Sequence, residues 1–345
     1  MADQKPDFKA LIAIVADGRA LDVEQARGAF DIMMSGDATP SQMGAFLMAL
    51  RVRGESVDEI TGGVMVMRER MTPIVAPAEA MDIVGTGGDG KKTLNVSTAT
   101  TFVVAGCGVP IAKHGNRAAS SESGTTDVQS ALGINVDADF SLLQAAMDEA
   151  GLCFMAAQRH HGAMRNVGPT RVEMGTRTIF NILGPMSNPA RVKRQLIGVF
   201  AREWMVPMAE TLRALGSEKV WVVHGSDGTC EITTTGPTYV AALEGGEITE
   251  FEISPDQAGV PTATLADLKG GSPEQNAAAL RALLDGAPGP YRDVVLFNAA
   301  AALMIAGKAA DFADGAAMAA RSIDDHHARE KLQQLVEITN RAVPK

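Results

Sequence analysis

Apolar residues in the first seventy positions recur every three or four residues, which is the spacing of one buried helix face. The first run covers residues 8–15 and ends at a glycine. Asp22 can cap a second run, Pro40 opens a third, and Ser56 with Glu59 forms a capping box for a fourth. The pattern therefore predicts four short helices in this part of the chain.

The pattern changes after Pro73 and Pro77. Short apolar runs bounded by glycine or polar residues predict strands, at 81–84, 109–112, 220–224, 239–243 and 248–253. Helical spacing predicts helices at 97–107, at 140–150 and over most of 273–342. Strands that alternate with helices favour the α/β class, with a mostly parallel central sheet covered by helices.

A chain of 345 residues is long enough for one large domain and a smaller one. We expect a small all-helical N-terminal domain at 1–71, which the segment 172–195 could join. A large α/β domain would then occupy 72–345. The Met and Leu stripes of the first helices are most simply core or subunit interface.

Charge and composition exclude several classes of function. Lysine and arginine total 31 against 41 acidic residues, which gives a net charge of −10, and aromatic residues make up 4%. Nucleic-acid binding proteins normally present a basic face, so we expect no nucleic-acid partner. The three cysteines are far apart, and no apolar run approaches the roughly 18 residues of a membrane span. We therefore expect a cytoplasmic protein without a membrane partner.

A glycine-rich loop follows the first predicted strand, in the run VGTGGDGKKT at 84–93. Its glycines satisfy GxGxxG, but the acidic residue that a dinucleotide fold places about 20 positions later is missing. It nearly matches a P-loop, but Lys92 stands where Ser or Thr should bind magnesium. Glycines still bring backbone N–H groups close to phosphate oxygens. Asn95, Ser97 and Thr98 lie where the next helix begins, a position that favours an anion.

A second polar run, KHGNRAASSESGTTD at 113–127, follows the next predicted strand. That places it at the carboxyl edge of the sheet, where α/β proteins bind ligands. Lys113 and Arg117 supply positive charge, and several hydroxyls supply donors for phosphate. The two loops together predict a site for a sugar that carries a diphosphate.

In order and spacing, these two motifs resemble the anthranilate phosphoribosyltransferase family. The likeness continues through RNVGPTR at 165–171, GTRTIFNILGP at 175–185 and HGSDG at 224–228, and so spans nearly the whole chain. The resemblance implies an enzyme of tryptophan biosynthesis, a pentosyltransferase. It would transfer the phosphoribosyl group of 5-phosphoribosyl-1-diphosphate (PRPP) to the amine of anthranilate and release diphosphate. The resemblance also implies Mg²⁺ as the cofactor and a homodimer as the assembly.

The resemblance also implies roles for particular residues. The PRPP ligands would be Gly85, Gly88, Asp89, Thr93, Asn95, Val96, Ser97, Thr98, Lys113, His114, Gly115, Asn116, Arg117, Ala118, Ala119, Ser120, Ser121 and Thr125. The anthranilate ligands would be Gly85, Asn116, Arg171 and Pro185. The metal ligands would be Ser97, Glu231 and the residue at position 230.

His114 and His161 would lie along the anthranilate path. They are candidates for proton handling, although a structural role suits either equally well. An aromatic amine is already neutral at pH 7, so the reaction does not require a strong base. Arg171 suits the anthranilate carboxylate, because a guanidinium can bind both oxygens. Outside this family context, an arginine on a helix would more often be a surface charge.

The chain departs from the family pattern at Cys230, where the family carries an aspartate beside Glu231 as ligands for a second magnesium. A thiol is a poor ligand for magnesium, which prefers oxygen donors. We therefore expect weaker magnesium occupancy of that second site, or coordination of the magnesium by Asp227, Glu231 and water instead.

Two alternatives stay open at this point. The first is a pyrimidine nucleoside phosphorylase, since such enzymes have a similar fold and a related glycine loop. A non-catalytic binding protein of the same fold is the second, and the Cys230 change is the feature in its favour. The block at 175–185 and Arg171 favour the transferase.

Overall fold

The computed structural model describes residues 7–116 and 124–343. The chain begins with four helices, α1 (Phe8–Ala16), α2 (Val23–Ser35), α3 (Pro40–Arg53) and α4 (Val57–Glu69). The last three begin with capping boxes, at Asp22, Thr39 and Ser56. The prediction of four short helices is confirmed. No helix in the described ranges is long and apolar enough to cross a membrane.

Strands and helices alternate in the rest of the chain. In chain order they are β1 (Met81–Gly85), α5 (Val96–Gly106), β2 (Ile111–Gly115), α6 (Thr125–Ala131), α7 (Phe140–Ala150), β3 (Leu152–Ala156), α8 (Ala157–His160), α9 (Gly168–Met174), α10 (Phe180–Met186), β4 (Arg194–Gly198), α11 (Met205–Ala214), β5 (Lys219–Gly225), β6 (Thr238–Glu244), β7 (Glu247–Ile253), α12 (Pro273–Leu284), α13 (Pro290–Ile305), α14 (Phe312–Asp324) and α15 (His327–Thr339).

The described strands form one sheet in the order β3-β2-β1-β4-β5-β6-β7. Strands β3 to β5 are mutually parallel, and β6 and β7 add an antiparallel hairpin at one edge. The predicted α/β class with a mostly parallel sheet is confirmed. The strand order reverses between β1 and β4, and ligands of open α/β sheets bind at the carboxyl ends of such a pair.

Each face of the sheet carries its own hydrophobic core, because neighbouring side chains on a strand point to opposite faces. On β5, Val220 and Val222 join a cluster with the N-terminal helices and α11. Trp221 and Val223 join a second cluster with α5 and α12 to α15. The sheet is therefore covered on both faces, and the first helices cover one of them.

The N-terminal helices share their core with a later part of the chain. The ring of Phe30 on α2 lies 6.2 Å from that of Phe46 on α3 and 5.6 Å from that of Phe180 on α10. A Cβ added to Gly63 of α4 would meet Leu183 of α10 at 2.9 Å. This packing supports a small domain at 1–71 joined by part of 172–195. The division from a large domain at 72–345 stays a prediction.

Two details of the sheet differ from the sequence expectation. Strand β2 ends at Gly115 rather than at residue 112, so Lys113 and His114 are strand residues and not loop residues. A buried lysine breaks the apolar pattern, which made the strand look shorter than it is. Strands β3 and β4 were not expected, because the run LCFMA of β3 contains no β-branched residue that would distinguish it from helix, and β4 carries the polar pair Arg194 and Gln195.

Candidate active site

Four strands bring glycines to the carboxyl edge of the sheet, at Gly85, Gly115, Gly198 and Gly225. Gly85 and Gly198 are paired across β1 and β4. A Cβ on Gly198 would lie 1.8 Å from the carbonyl oxygen of Cys230, so any side chain there would displace the loop that follows β5. The missing side chains let three loops converge at the reversal point of the sheet.

The glycine loop, residues 86–92, leaves β1 with Gly87, Gly88 and Gly90 all at positive φ. Its first backbone N–H, on Thr86, donates to the carbonyl of Gly198 at 2.9 Å. The carboxylate of Asp89 accepts hydrogen bonds from the backbone N–H groups of Lys91 and Cys230, each at 3.0 Å. Asp89 therefore holds the loop in shape and fastens it to the loop after β5.

Helix α5 begins with its first turn open to a ligand. Its N-cap residue, Asn95, makes no side-chain cap bond, and its side chain instead accepts from Asn276 at 2.9 Å. In the described residues, the hydroxyl of Thr98 is buried without a hydrogen-bond partner. Val96 is 2% exposed and anchors the turn in the core. Uncapped N–H groups at a helix start are a binding site for an anion.

Lys113 lies beneath this helix start and is 1% exposed. Its ammonium group donates to the carbonyl of Ile83 and to the hydroxyl of Ser97 at 3.3 Å. Burial lowers the pKa of Lys113 to about 8, against the attraction of Asp82. Burial likewise raises the pKa of Asp82 to about 6. At pH 7 both groups are charged, so Lys113 places a buried positive charge behind Ser97.

Asp82 holds two further segments in place. Its carboxylate accepts from the backbone N–H of His114 at 3.1 Å and from the side-chain amide of Asn188 at 2.7 Å. That amide also donates to the carbonyl of Ala112 at 2.8 Å. Asp82 and Asn188 therefore fasten β1, β2 and the segment after α10 to one another. The sequence interpretation did not assign a role to either residue.

His114 and His161 form a buried pair, with ring centroids 5.1 Å apart. Nδ1 of His114 donates to the carbonyl of Gly184 at 3.2 Å. Within 7–116 and 124–343, Nε2 of His114 has no hydrogen-bond partner. Burial lowers the pKa of His161 to about 4 and that of His114 well below its ordinary value. Both rings are neutral at pH 7, which favours orientation of a ligand over proton transfer.

The predicted anthranilate ligands lie on neighbouring elements. Arg171 on α9 is half-buried, with its guanidinium carbon 5.3 Å from the centre of the Phe180 ring on α10. Pro185, also on α10, is buried, and its carbonyl accepts from the amide of Gln195 at 3.0 Å. Asn116 is exposed directly after β2. The hydrogen bond from His114 to the carbonyl of Gly184 connects β2, which precedes Asn116, with α10, which carries Pro185.

The loop after β5 carries the acidic residues. The carboxylate of Asp227 accepts hydrogen bonds from Thr229, Thr233 and Thr235. Burial opposes ionisation of Asp227, but these bonds outweigh it and lower its pKa. Asp227 is therefore committed to the shape of its own loop. Burial, and then the charge of Asp89, raise the pKa of Glu231 to about 8.

Cys230 is 2% exposed and faces the glycine loop rather than an open site. Its sulfur lies 3.6 Å from the hydroxyl of Thr86 and 3.7 Å from the carbonyl of Gly87. Burial, followed by the neighbouring carboxylates, raises the pKa of the thiol well above its ordinary value. A neutral thiol is not a ligand for magnesium.

The donor chemistry accordingly fits one magnesium better than two. In the described ranges, no group of three His, Cys, Asp or Glu side chains could hold a metal ion. Magnesium commonly keeps several waters and binds through substrate phosphates and one or two protein oxygens. The hydroxyl of Ser97 fits that kind of site. The set of Cys230, Asp227 and Glu231 does not fit a second site.

The structure brings together most of the predicted ligands that it describes. Thr125 begins α6, and its methyl carbon would meet a Cβ on Gly115 at 3.1 Å, so it lies at the end of β2. Thr93 forms an isolated bridge with Lys269 beyond the glycine loop. Five predicted PRPP ligands lie outside the described residues, namely Arg117, Ala118, Ala119, Ser120 and Ser121.

Family models and relatives match this chain over almost its full length. The family model for the glycosyl transferase family helical bundle domain matches residues 9–71, and that for the a/b domain matches residues 77–329. The anthranilate phosphoribosyltransferase of Parvibaculum lavamentivorans is 61% identical over 334 residues, which is 97% of this chain and 98% of the relative. That of Rhodopseudomonas palustris strain HaA2 is 61% identical over 333 residues, 96% of this chain and 98% of the relative.

Solved structures of two enzymes are similar over almost the full length. The crystal structure of anthranilate phosphoribosyltransferase from Thermus thermophilus has a TM-score of 0.91 at 39% identity, covering 96% of this chain and 99% of that one. The Saccharomyces cerevisiae enzyme in complex with PRPP and Mg has a TM-score of 0.86 at 26% identity, covering 96% and 98%. The chain thus belongs to the anthranilate phosphoribosyltransferase family.

Proposed function

We propose that this chain transfers the phosphoribosyl group of PRPP to the amine of anthranilate and releases diphosphate, a step of tryptophan biosynthesis. The observation that carries the proposal is the convergence of the glycine loop, the open start of α5 and the buried Lys113 at one edge of the sheet. Full-length relatives with that activity in their names support it.

The diphosphate end of PRPP would meet backbone N–H groups of the glycine loop and the first turn of α5. Both present N–H dipoles to an anion, and the charge of Lys113 lies behind Ser97. Ser97 is also the residue that would hold magnesium. Magnesium, when bound, offsets the negative charge of the leaving diphosphate. The Saccharomyces cerevisiae enzyme in complex with PRPP and Mg supports this cofactor.

Anthranilate would lie between the ends of β2 and α9. The guanidinium of Arg171 can bind both oxygens of its carboxylate, and its side chain is already oriented against Phe180. The neutral rings of His114 and His161 would border the path of the substrate without adding charge. The residues therefore orient two reactants rather than form a covalent intermediate.

In the reaction, the nitrogen lone pair of anthranilate forms a bond to C1 of the ribose as the bond from C1 to the diphosphate oxygen breaks. The electron pair of that bond leaves with diphosphate. The extra amine proton is then lost to solvent or to the product diphosphate. The buried histidines have low pKa values, so they are poor acceptors for it.

Two further predictions belong with this proposal, a cytoplasmic location and assembly as a homodimer. Val52 on α3 and Val172 on α9 are each 81% exposed, and Met48 on α3 is 38% exposed. Helices α3 and α9 contact each other, so these side chains lie on neighbouring elements. A second copy of the chain on this apolar surface would remove them from water.

The first experiment measures diphosphate release from PRPP with and without anthranilate, in the presence of magnesium. Release that requires anthranilate supports the transferase. Absence of release from properly folded protein would overturn it. A parallel measurement with nucleoside and phosphate tests the phosphorylase.

The same assay tests the metal site by comparing Cys230→Asp with Cys230→Ala. The aspartate adds an oxygen ligand beside Glu231, so we expect half-maximal activity at a lower magnesium concentration. The alanine removes the thiol without adding an oxygen donor or a charge and serves as the matched control. An unchanged magnesium dependence in Cys230→Asp would contradict a second site at this position.

A further inference from the structure

Arg177 lies between α9 and α10 but reaches the glycine loop. Its guanidinium donates a hydrogen bond to the carbonyl of Gly88 across 89 positions of sequence. The contact falls at the middle of the loop, where Gly87, Gly88 and Gly90 all have positive φ. Glycines leave a backbone with many accessible conformations, so a bond from outside the loop restricts it strongly.

The contact with Gly88 also sets the direction of an N–H group. The carbonyl of Gly88 and the N–H of Asp89 belong to one planar trans peptide unit, and they point in opposite directions. A guanidinium that holds the carbonyl on one side therefore turns the N–H of Asp89 to the other side. The Asp89 carboxylate is fastened independently, by backbone N–H groups of Lys91 and Cys230. Arg177 thus sets the direction of the Asp89 N–H, which the hydrogen bonds of the Asp89 carboxylate do not determine.

Arg177 is itself held by an aromatic ring. Its guanidinium carbon lies 4.2 Å from the centre of the Phe200 ring, a stacking distance for a cation and an aromatic face. The backbone N–H of Phe200 donates to the hydroxyl of Thr86 at 3.0 Å. Phe200 and Arg177 therefore contact the glycine loop at its first residue and at its middle, and they contact each other.

A second arginine links this assembly to the N-terminal helices. Arg51 on α3 donates to the carbonyl of Arg177 at 2.6 Å and to the hydroxyl of Thr176. The connection runs from α3 through the backbone of Arg177 to the carbonyl of Gly88. The position of α3 and the shape of the glycine loop are thus joined by side-chain hydrogen bonds.

We propose that Arg177 is a positioning residue that holds the glycine loop in the shape that receives the diphosphate of PRPP, with Arg51 supporting it from α3. This inference rests on the proposed function, because it assigns PRPP to the loop. Arg177 acts through the Gly88–Asp89 peptide.

The test measures PRPP binding directly, by isothermal titration calorimetry in magnesium, together with the KM values of both substrates. For Arg177→Ala we expect PRPP binding about tenfold weaker, as for loss of one hydrogen bond from a charged group. The KM for anthranilate should be unchanged. Arg51→Ala should weaken PRPP binding in the same direction by about threefold, since its contact with the loop is indirect.

The matched control is Arg202→Ala, since Arg202 stacks on Tyr239 at 3.7 Å in the same way. It should leave PRPP binding unchanged. Phe200→Leu tests the same contact from the aromatic side. The loss of PRPP binding in the double variant Phe200→Leu with Arg177→Ala should be smaller than the sum of the two single losses, because the two residues act as a unit.

Arg177→Lys should restore only part of the PRPP binding, since a lysine keeps the charge but not the planar stack.

Unchanged PRPP binding in Arg177→Ala, with a melting temperature equal to wild type, would overturn the proposal. Equal increases in the KM of both substrates would also overturn it, since they indicate general damage. Full recovery in Arg177→Lys would show a direct charge contact with phosphate instead. If the wild type binds PRPP but releases no diphosphate with anthranilate, the proposed function fails while the loop proposal is still tested by calorimetry.

Discussion

Acidification should destabilise this protein through His161, which is 4% exposed. Burial lowers its pKa from the ordinary 6.5 to about 4, so the native state binds this proton less readily than the unfolded state. The resulting stability is complete above the ordinary pKa and is lost as the pH falls towards 4. A shift of this size corresponds to about 3 kcal/mol, of which about 2 kcal/mol is lost between about pH 7.5 and about pH 5.

The assay is urea unfolding at these two pH values, for the wild type and for His161→Gln. We expect the variant to lose about 2 kcal/mol less than the wild type over this interval, although it is less stable at the higher pH. Groups remote from His161 ionise alike in both proteins, so the difference reports on His161 and on the ring of His114, whose pKa His161 helps to lower. His327→Gln removes an exposed histidine at the start of α15 and is the matched control.

The reasoning would be refuted if His161→Gln and wild type lost the same stability on acidification. A difference of the opposite sign would show that His161 gains a proton partner in the folded state. Either result would remove the argument that the pair with His114 stays neutral.

Two further predictions concern the geometry of the site. Gly198→Ala places a Cβ 1.8 Å from the carbonyl of Cys230 and should cost on the order of 3 kcal/mol in urea unfolding. Gly44→Ala on α3, where a Cβ has no heavy atom within 4 Å, should instead be neutral or stabilising by about 1 kcal/mol; equal effects would contradict the clash. Arg171→Ala should raise the KM for anthranilate by about tenfold and leave that for PRPP unchanged. A rise in both would refute its role as a carboxylate ligand.

Features that depend on a few neighbouring residues could be predicted from the sequence. The capping box of Ser56 with Glu59 forms between residues three positions apart, and the four N-terminal helices follow from such local signals. The glycine loop and the open start of α5 at Asn95 were likewise identifiable, because a strand, a glycine turn and a helix start follow one another directly.

Lys113 shows where local signals misled the interpretation. A lysine after an apolar run is typical of the end of a strand, so the sequence indicated a loop residue. Lys113 is instead a residue of β2, and its buried ammonium group donates hydrogen bonds to the carbonyl of Ile83 and the hydroxyl of Ser97. The groups that make a buried lysine tolerable, among them Asp82 on β1 and Ser97 on α5, belong to other elements of the fold.

The sequence by itself therefore determined the helix starts, the glycine turns and most of the strands, because each of these features involves residues within a few positions of one another. The order of strands decided which loops meet, and so it determined the contacts of Cys230 with Asp89 across 141 positions and of Arg177 with Gly88 across 89. It also buried His161 against His114. Such contacts depend on how whole elements pack, and packing sums many weak interactions between distant residues, so no short stretch of sequence contains them.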